Sequence, residues 1–496
     1  FGNFYKNILT GKAGGEITAL LHDKLLRVNP AEFEQTSFLD DVNKACAGVS
    51  ALCWCCAVVF SITSFYFVYF LSIGAYLFSL KPILLIVLLL AFIPALLVQI
   101  VRVKVFTKLE KQSAPLRRQY EYYQKTLCDR EYLKETRVLG AFQFFHNLFT
   151  ETLQLFTCVT WRAERKIALL QLLLNMTTFA GMAIASYILF TAAMEGEITI
   201  GAFAAVFAAL ANIFSIMQEI VTQHVAYVNN NIGKVANLFQ MLDMPERTGA
   251  VGVPDFTKGV VAESVSFTYP GKDEPAVKDV SLTIADGETI AIVGENGAGK
   301  STLVRLLTGI YLPSDGCVIA GGLNTSETAP ECVYMGVSGV FQRYQRYKMT
   351  LCDNVRISDV NIEADAATIE SALEEAGAEL EGVGLDEMLS PEFDGIDLSG
   401  GQWQRLAIAR GLYRANGFIV LDEPTASIDP VEETRIYAQF QKLTKGKCAI
   451  IVTHRLGSAR LADRIVVMDA SKIVDIGTHD ELLSHPGKYA EMWTEQ

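Results

Sequence analysis

At 496 residues the chain is long enough for two or more domains, and its 51% hydrophobic content and mean hydropathy of +0.27 favour membrane spans over a soluble enzyme. Residues 1–250 contain 21 Lys and Arg against 18 Asp and Glu, whereas residues 251–496 contain 21 against 37. The acidic second half argues against a nucleic-acid partner, because it would repel the phosphates.

The ten cysteines are scattered between Cys46 and Cys448, and their spacing suits neither a zinc site nor a secreted disulfide framework. We expect the cluster of Cys53, Cys55 and Cys56 to be small buried hydrophobic residues. The chain starts with Phe and shows no signal peptide, so we expect that it begins inside a longer protein.

Four stretches of the first half contain no charged residue: Ala45–Leu80, Pro82–Val101, Ile167–Met194 and Ile198–Gln218. A hydrocarbon core of about 30 Å takes about 20 apolar residues of helix, and each stretch is long enough. The spans must be helical, because backbone polar groups cannot stay unpaired in lipid. We therefore predict four membrane-spanning helices.

Basic residues are unevenly distributed between these spans. Only Lys81 separates the first two, and only Glu195 and Glu197 are charged between the last two. Basic residues instead gather between the second and third spans, namely Arg102, Lys104, Lys108, Lys111, Arg117, Arg118, Arg162, Arg165 and Lys166. Because Lys and Arg mark cytoplasmic segments, we predict that residues 102–166 and both chain ends face the cytosol.

Long polar stretches with few Pro and Gly residues predict helices that extend beyond the membrane. Leu109–Asn147 predicts a helix broken near Pro115 and Gly140, and Gly11–Val28 predicts a helix that ends before Asn29-Pro30. The helix of the fourth span is expected to continue through Glu219–Leu242.

A linker and a second type of domain follow. Pro245, Gly249, Gly252 and Pro254 interrupt the helical pattern, after which short β-branched strands alternate with helices. We predict an all-α polytopic membrane domain over residues 1–243, a linker over 244–256, and an α/β domain over 257–496.

The segment Gly294–Ser301 fits the phosphate-binding pattern G-x-x-x-x-G-K-[ST]. Strand-forming residues precede it and helix-forming residues follow it, so phosphates would lie on a helix N-terminus. Lys300 is predicted to reach the β- and γ-phosphates of a nucleotide and Ser301 to bind Mg²⁺.

Two further motifs in the α/β domain carry chemistry. An apolar strand, Gly417–Leu421, ends in Asp422 and Glu423. We predict that Asp422 holds Mg²⁺ and that Glu423 acts as general base toward water. A second glycine-bearing loop, Leu398–Gln402, precedes a helix and is predicted to serve a partner's nucleotide, because one nucleotide hardly needs two such loops from one subunit. A simple helix cap by Ser399 is the alternative.

From about residue 250 onward, the chain resembles the nucleotide-binding domain of ATP-binding cassette (ABC) transporters, with an α/β P-loop fold. The resemblance implies that Tyr269 stacks on adenine, that Leu398–Gln402 is the signature acting across a dimer, and that Glu423 is the catalytic base. It assigns Gln342 to sensing Mg²⁺ and the γ-phosphate, Asp429 to the D-loop and His454 to the switch position.

The resemblance implies ATP and Mg²⁺ as ligands. The implied ATP-binding residues are Tyr269, Gly294, Glu295, Asn296, Gly297, Ala298, Gly299, Lys300, Ser301, Thr302, Gln342, Ser399, Gly400, Gly401, Gln402, Asp429 and His454. The implied Mg²⁺ ligands are Ser301, Gln342 and Asp422, and the implied catalytic residues are Glu423, His454 and Gln342.

The first half resembles the membrane domain of ABC exporters, which has six spans, whereas four are visible here. In that layout Phe1–Gly15 falls near the end of the second span, and Asn29–Asp41 and Arg130–Phe142 supply two coupling helices. Pro391–Leu398 before the signature and Trp403 after it resemble bacterial exporters of ribosomally made peptides, such as the lantibiotic type.

The expected function is ATP-driven export of a hydrophobic or amphipathic cargo, with a peptide favoured, by a dimeric half-transporter in a bacterial plasma membrane. The expected partners are a second half-transporter, identical or different, membrane lipid and the cargo, with no nucleic acid. The alternatives are a lipid or multidrug exporter, an ATP-gated channel or regulatory subunit, an importer, and a soluble cassette protein. The predicted spans contain few ionisable groups, so no charge pair inside the membrane identifies the cargo.

Overall fold

The computed structural model describes residues 2–342, 344–360, 365–378, 380, 382–414, 416–423, 440–441 and 444–495, without the side chains of 2–7, 9, 88, 92, 95–96, 98–100, 103–104, 106–108 and 110–112. The chain divides into two compact units. The helical unit comprises Phe1–Leu21 and Asp41–Asp243, and the α/β unit comprises His22–Asp40 and Met244–Gln496.

Long helices make up the first half of the chain. They are α1 (Gly2–Arg27), α2 (Thr36–Ser61), α3 (Phe67–Leu80), α4 (Pro82–Cys128), α5 (Arg130–Val138), α6 (Phe142–Met194), α7 (Ile200–Glu219) and α8 (Ala226–Leu242). A 3₁₀ turn, Pro30–Glu34, separates α1 from α2. Two π-helical segments, Ile62–Tyr66 and Ile220–Val225, join α2 to α3 and α7 to α8 without a break.

Three helical stretches are long and apolar enough to cross a membrane among the residues described: Thr36–Leu80, Phe142–Met194 and Ile200–Leu242. They contain the first and third predicted spans and all of the fourth except its first two residues. The second predicted span forms the start of α4, where several side chains lie outside the described part of the structure. Lys81 and Glu197 form an ion pair between the two turns that join neighbouring spans.

The predicted break at Pro115 is wrong, because α4 continues through both Pro94 and Pro115 to Cys128. A proline removes one helical hydrogen bond and costs about 3 kcal/mol. Among the described elements, α4 and α6 pack most extensively against each other, and this packing offsets that cost. The predicted break at Gly140 is confirmed, since this residue has a φ of +64° in the turn before α6.

Close helix packing in the helical unit depends on small residues. A Cβ atom on Gly48 would lie 2.4 Å from the carbonyl oxygen of Lys234, so α2 and α8 approach closely only because residue 48 is glycine. Cys53 is buried, as predicted, but Cys56 is exposed on the outer face of α2, so the prediction of a buried cluster is wrong there.

Two sheets form the core of the α/β unit. Their strands are β1 (Val260–Phe267), β2 (Val277–Ile284), β3 (Thr289–Gly294), β4 (Asp315–Ala320), β5 (Leu323–Asn324), β6 (Val337–Val340), β7 (Phe418–Asp422), β8 (Cys448–Val452), β9 (Arg464–Asp469) and β10 (Lys472–Gly477). The smaller sheet is antiparallel with the order β2-β1-β4-β5. The larger has the order β10-β9-β3-β8-β7-β6 and is parallel except for β10.

Helices surround the larger sheet. They are α9 (Lys300–Leu307), α10 (Pro330–Met335), α11 (Leu351–Arg356), α12 (Ala366–Glu375), α13 (Gly400–Arg414), α14 (Leu456–Ala459), α15 (His479–Ser484) and α16 (Lys488–Glu495). Every residue of β3, β7 and β8 is buried, as expected for parallel strands covered on both faces. The carboxyl ends of these strands lie side by side, and ligands of open α/β sheets bind at such an edge.

Residues 22–40 precede the α/β unit by two hundred residues but pack within it. Lys24 forms an ion pair with Glu246, and the backbone N–H of Arg247 donates to the carbonyl of Arg27. The guanidinium of Arg247 is buried and donates to the carbonyls of Gly309 and Thr325 and to a tyrosine hydroxyl. The α/β unit is therefore assembled from two separate parts of the chain.

Candidate nucleotide-binding site

The loop between β3 and α9, Gly294–Ser301, needs glycine at positions where the backbone turns sharply. Gly294 has a φ of +151°, and a Cβ atom there would lie 2.2 Å from the carbonyl oxygen of Met468. Gly299 has a φ of +98°, and its Cβ atom would lie 2.4 Å from the carbonyl oxygen of Ala276. Neither position accommodates another residue without moving the backbone.

Lys300 is enclosed by this loop, with 6% of its side chain exposed. Its Nζ donates to the carbonyl oxygens of Gly294 (2.9 Å) and Glu295 (3.1 Å) and lies 3.9 Å from Oε1 of Glu423. Loop carbonyls and a carboxylate thus hold a buried ammonium group at the carboxyl end of β3. This arrangement places a cation where the β- and γ-phosphates of a nucleotide would lie.

The carboxylate of Asp422, at the end of β7, faces the first turn of α9. The hydroxyl of Ser301 donates to Oδ1 of Asp422 at 3.2 Å, and Asp422 is 3% exposed. Burial raises the pKa of Asp422, and the hydrogen bond from Ser301 opposes that shift. A buried carboxylate beside a hydroxyl is a donor set that suits a hard divalent cation such as Mg²⁺.

Glu423 lies at the centre of the polar groups at this edge. Gln342 donates from Nε2 to Oε2 of Glu423 at 2.7 Å, and Nδ1 of His454 lies 4.0 Å from Oε1. Glu423 has a φ of +45°, which is rare outside glycine, and its N–H donates to the carbonyl of Val452 on β8. Backbone strain of this kind costs about 1–3 kcal/mol and is common at functional sites.

Tyr269 contacts Thr302 in the first turn of α9. Its hydroxyl is 2.9 Å from Oγ1 of Thr302, and its ring meets the rings of Phe267 and Tyr311 edge to face at 5.1 and 5.9 Å. An aromatic platform therefore lies next to the phosphate loop, although stacking on adenine stays a prediction.

The remaining predicted loop residues have different surroundings. Lys488 forms an ion pair with Oε1 of Glu295 and donates a hydrogen bond to it, which lowers the pKa of this exposed carboxyl. Asn296 is exposed, Gly297 has a φ of +87° with open space around it, and Ala298 is buried in the core. Asp429 of the predicted D-loop lies outside the described residues.

The signature segment caps its own helix, α13. The hydroxyl of Ser399 accepts from the N–H of Gln402 at 3.3 Å, and the amide oxygen of Gln402 accepts from the N–H of Ser399 at 2.9 Å. A Cβ atom on Gly400 or Gly401 would meet no atom within 4 Å. The capping role considered for Ser399 is therefore present, and the space beside the two glycines is open.

One set of contacts was not predicted from the sequence. Arg305 on α9 donates to the hydroxyls of Tyr269 (3.3 Å) and Tyr311 (3.0 Å), and both Arg305 and Tyr311 contact the carboxylate of Glu34 in the 3₁₀ turn. Burial and the hydrogen bond to Glu34 raise the pKa of Tyr311. No sequence signal connects Glu34 to these residues, since more than 270 positions separate them.

The residues present fit a nucleotide with its Mg²⁺ ion. Two glycines of the phosphate loop pack directly against protein carbonyl oxygens, which fixes the sharp turns of a loop whose backbone N–H groups can bind phosphate. The buried ammonium of Lys300 and the buried carboxylate of Asp422 supply the matching charges, and the half-buried Ser301 adds a hydroxyl.

Comparison with known proteins agrees with this geometry. The ABC transporter family model matches residues 277–426. The chain is 30% identical over 367 residues to the subtilin transport ATP-binding protein SpaT of Bacillus subtilis, covering 72% of this chain and 60% of that protein. It is 35% identical over 235 residues to the nisin transport ATP-binding protein NisT of Lactococcus lactis subsp. lactis, covering 46% and 39%.

Similarity extends to a lipid A-core flippase and to a solved structure. The chain is 34% identical over 308 residues to the ATP-dependent lipid A-core flippase of Photobacterium profundum, covering 60% of this chain and 52% of that protein. It thus spans between 39% and 60% of the length of these three relatives. A bacterial Atm1-family ABC exporter with ATP bound has the same fold, with a TM-score of 0.79 and 22% identity over 100% of this chain and 86% of that chain.

These findings confirm the predicted resemblance and the predicted fold class, a helical domain with apolar helices fused to an α/β P-loop domain. Within the α/β unit, residues 277–426 match the ABC transporter family model, and the chain has the fold of an ABC exporter.

Proposed function

We propose that the protein hydrolyses ATP and uses the reaction to export a hydrophobic or amphipathic cargo across a membrane. The observation that carries this proposal is the convergence of Lys300, Ser301, Asp422, Glu423 and Gln342 on the carboxyl edge of one parallel sheet. Each of these residue types has a defined task in phosphoryl transfer.

Lys300 leaves the loop carbonyls to pair with the β- and γ-phosphates of ATP. Ser301, Asp422 and Gln342 would hold Mg²⁺, which would neutralise charge on the phosphate oxygens. Glu423 orients the attacking water and accepts its proton, and Gln342 positions the Glu423 carboxylate through the 2.7 Å hydrogen bond. His454 stands 4.0 Å from the same carboxylate and senses the γ-phosphate.

A second half-transporter completes the site. Ser399 and Gln402 are engaged in capping α13, but the N–H groups of the helix N-terminus and the open space beside Gly400 and Gly401 suit a phosphate. We propose that this loop binds the nucleotide of the partner, so that two ATP molecules hold two cassettes together. The partner is either an identical chain or a different half-transporter.

A peptide is the favoured cargo, because the transport proteins for subtilin and nisin are among the similar proteins. Lipid export is the second candidate, favoured by the similarity to lipid A-core flippases. The basic residues of 102–166 support placing the nucleotide-binding domain on the cytosolic side of a bacterial plasma membrane.

The substitution Glu423→Gln tests the proposed chemistry. It keeps the hydrogen-bonding shape of the side chain and removes the base, so purified protein in lipid nanodiscs should still bind ATP but hydrolyse it roughly 10²–10⁴-fold more slowly. The matched variant Lys300→Ala should lose ATP binding itself. Full turnover by the Glu423→Gln variant would remove this residue from the role of base.

Transport is measured separately from hydrolysis. Proteoliposomes should accumulate a labelled amphipathic peptide against its gradient only when ATP is supplied on the side of the nucleotide-binding domain. Ion conductance without such accumulation would instead identify an ATP-gated channel.

A further inference from the structure

Tyr66 meets two polar side chains that lie more than 150 residues later in the sequence, Glu219 and His224, inside the helical unit. The hydroxyl of Tyr66 donates to Oε1 of Glu219 at 3.3 Å, and Nε2 of His224 lies 3.1 Å from the same hydroxyl. The rings of Tyr66 and His224 have their centroids 5.3 Å apart. We call these three residues the Tyr66–Glu219–His224 cluster.

The cluster lies toward the inner end of the apolar layer of the helical unit, because Glu219 directly follows the uncharged run Ile198–Gln218. Tyr66 is fifteen residues before Lys81, whose ion pair with Glu197 marks one end of the spans. At 1.5 Å per residue, the tyrosine is about 22 Å along the helix from that end, within a hydrocarbon core of about 30 Å. The surrounding run, Ala45–Leu80, contains no charged residue.

A carboxylate that borders the apolar layer is costly unless a cation balances its charge, so Glu219 indicates a function. Among the described residues, Glu219 forms no ion pair with a lysine or arginine, and the tyrosine hydroxyl is its hydrogen-bond donor. A carboxylate has about four acceptor positions, and one neutral hydroxyl neither fills them nor balances the charge. Glu219 is only partly buried, so a ligand can reach it.

Irregular helix geometry coincides with the cluster. The two π-helical segments of the described chain are Ile62–Tyr66, which ends at Tyr66, and Ile220–Val225, which starts after Glu219 and contains His224. Single π-helical turns are rare in proteins overall. Those that occur are often at functional sites, where they alter the direction of side chains. Two such turns facing one another across a polar cluster are an independent sign of a binding site.

We propose that the Tyr66–Glu219–His224 cluster binds a protonated primary amine of the exported cargo. An ammonium group carries one positive charge and three donors, so it would neutralise Glu219 and occupy the acceptor positions that Tyr66 leaves unused. Phe65 is exposed and its ring meets that of Tyr66 at 5.2 Å, which offers an aromatic face beside the charge. This assignment of cargo chemistry rests on the proposed export function.

Two molecules carry this chemistry, an amphipathic peptide with a lysine and a phospholipid with an ethanolamine headgroup. The test uses the full chain in phosphatidylcholine nanodiscs and a fluorescent amphipathic helical peptide with one lysine. Binding is read by fluorescence anisotropy without nucleotide, and a peptide with the same sequence and an acetylated lysine is the comparison ligand. A second set of discs contains phosphatidylethanolamine as competitor.

The unmodified peptide should bind at least tenfold more tightly than the acetylated peptide, because a charge-assisted contact is lost on acetylation. Glu219→Gln should abolish this difference, and Glu219→Asp should retain part of it. Tyr66→Phe should reduce it severalfold. Competition by phosphatidylethanolamine would identify the lipid headgroup as the source of the amine, and its absence would identify the peptide.

Matched controls separate binding from folding. Glu195→Gln removes an acid from the exposed turn after α6, and Tyr76→Phe removes an exposed hydroxyl from α3, and neither should change the ratio of the two affinities. An unchanged ratio in the Glu219→Gln variant would overturn the proposal. Anisotropy measures binding without ATP turnover, so the two proposals fail separately. If the protein does not hydrolyse ATP but still prefers the unmodified peptide, the export function is wrong and the amine site stands.

Discussion

Two glycine-bearing loops precede helices in the α/β unit, and they are built for different tasks. In the phosphate loop, Gly294 and Gly299 leave no room for a Cβ atom, and Lys300 is buried against carbonyl oxygens of the same loop. In the signature loop, Gly400 and Gly401 face open space, and the polar side chains cap their own helix.

The difference shows how much of a site one chain can contain. The phosphate loop is complete within the chain, because its charges and backbone contacts come from β3, β7 and α9. The signature loop has its internal hydrogen bonds satisfied and presents an open helix N-terminus. Substitutions in the first loop should therefore damage the fold and the activity together, whereas substitutions in the second should damage activity alone.

Gly299→Ala should have the largest effect. An alanine would be strained at a φ of +98° and its Cβ atom would lie 2.4 Å from the carbonyl oxygen of Ala276, so we expect a loss of about 3 kcal/mol or more in unfolding free energy, with ATP binding abolished. Thermal unfolding and ATP binding measure this. Gly297→Ala is the matched control, since its backbone is also left-handed but nothing lies nearby, and it should lose about 1–2 kcal/mol.

Gly401→Ala should sharpen the comparison. The residue is in the first turn of α13 with open space around it, so alanine should leave the unfolding free energy unchanged or raise it by about 0.4–1 kcal/mol. If the loop binds a partner's phosphate, the added methyl group should lower the ATPase rate at least tenfold, on the order of the loss of one phosphate contact. Normal ATPase activity in this variant would contradict a site shared by two chains.

Asp422→Asn should stabilise the nucleotide-free protein. Burial raises the pKa of Asp422, so the folded state holds a proton more tightly than the unfolded state, and this group lowers stability as pH rises above the ordinary aspartate range. Removing the charge should raise the unfolding free energy at pH 7 by about 1 kcal/mol, or about 2–4 °C in Tm. A differential scanning measurement should also show that Mg²⁺ with ATP no longer stabilises the variant. An undiminished gain from Mg²⁺ would place the ion elsewhere.

Glu34→Gln should have the smallest effect. It tests whether the 3₁₀ turn Pro30–Glu34 influences nucleotide binding at the phosphate loop. Glu34 accepts from Tyr311 and pairs with Arg305 at 3.3 Å, but both members of the ion pair are partly exposed, so its contribution is below about 1 kcal/mol. We expect a nearly unchanged Tm and a KM for ATP raised about twofold, because Arg305 also contacts Tyr269. Glu32→Gln, in the same 3₁₀ turn, is the control and should leave the KM unchanged.

The fold class could be predicted because each half carries a local signal, uncharged runs of about 20 residues in one and a strand–loop–helix motif in the other. The structure also brings Lys300, Ser301, Asp422, Glu423, Gln342 and His454 together, while their roles stay predictions. A strand that ends in two acids can be recognised locally, and the parallel sheet places its end beside the phosphate loop.

Features that depend on packing between distant segments could not be predicted. The helix break at Pro115 was expected from a local rule, and the contact between α4 and α6 overrides it. Tyr66, Glu219 and His224 carry no local signal in the sequence, and they form a cluster only because the π-helical segment Ile62–Tyr66 packs against the end of α7 and the π-helical segment Ile220–Val225. The signature loop was expected either to bind a partner's nucleotide or to cap its own helix. The hydrogen bonds between Ser399 and Gln402 show the cap, and nucleotide binding stays a prediction.

The packing of residues 22–40 within the α/β unit has a practical consequence for recombinant work. A truncated protein that starts at the predicted linker would lack Ala31, which is buried in the core of that unit, and the partners of Glu246 and Arg247. Such a fragment would expose apolar surface to solvent and should aggregate on expression. Supplying residues 22–40 as a separate peptide, or fusing them ahead of residue 244 through a flexible spacer, should restore a monodisperse preparation.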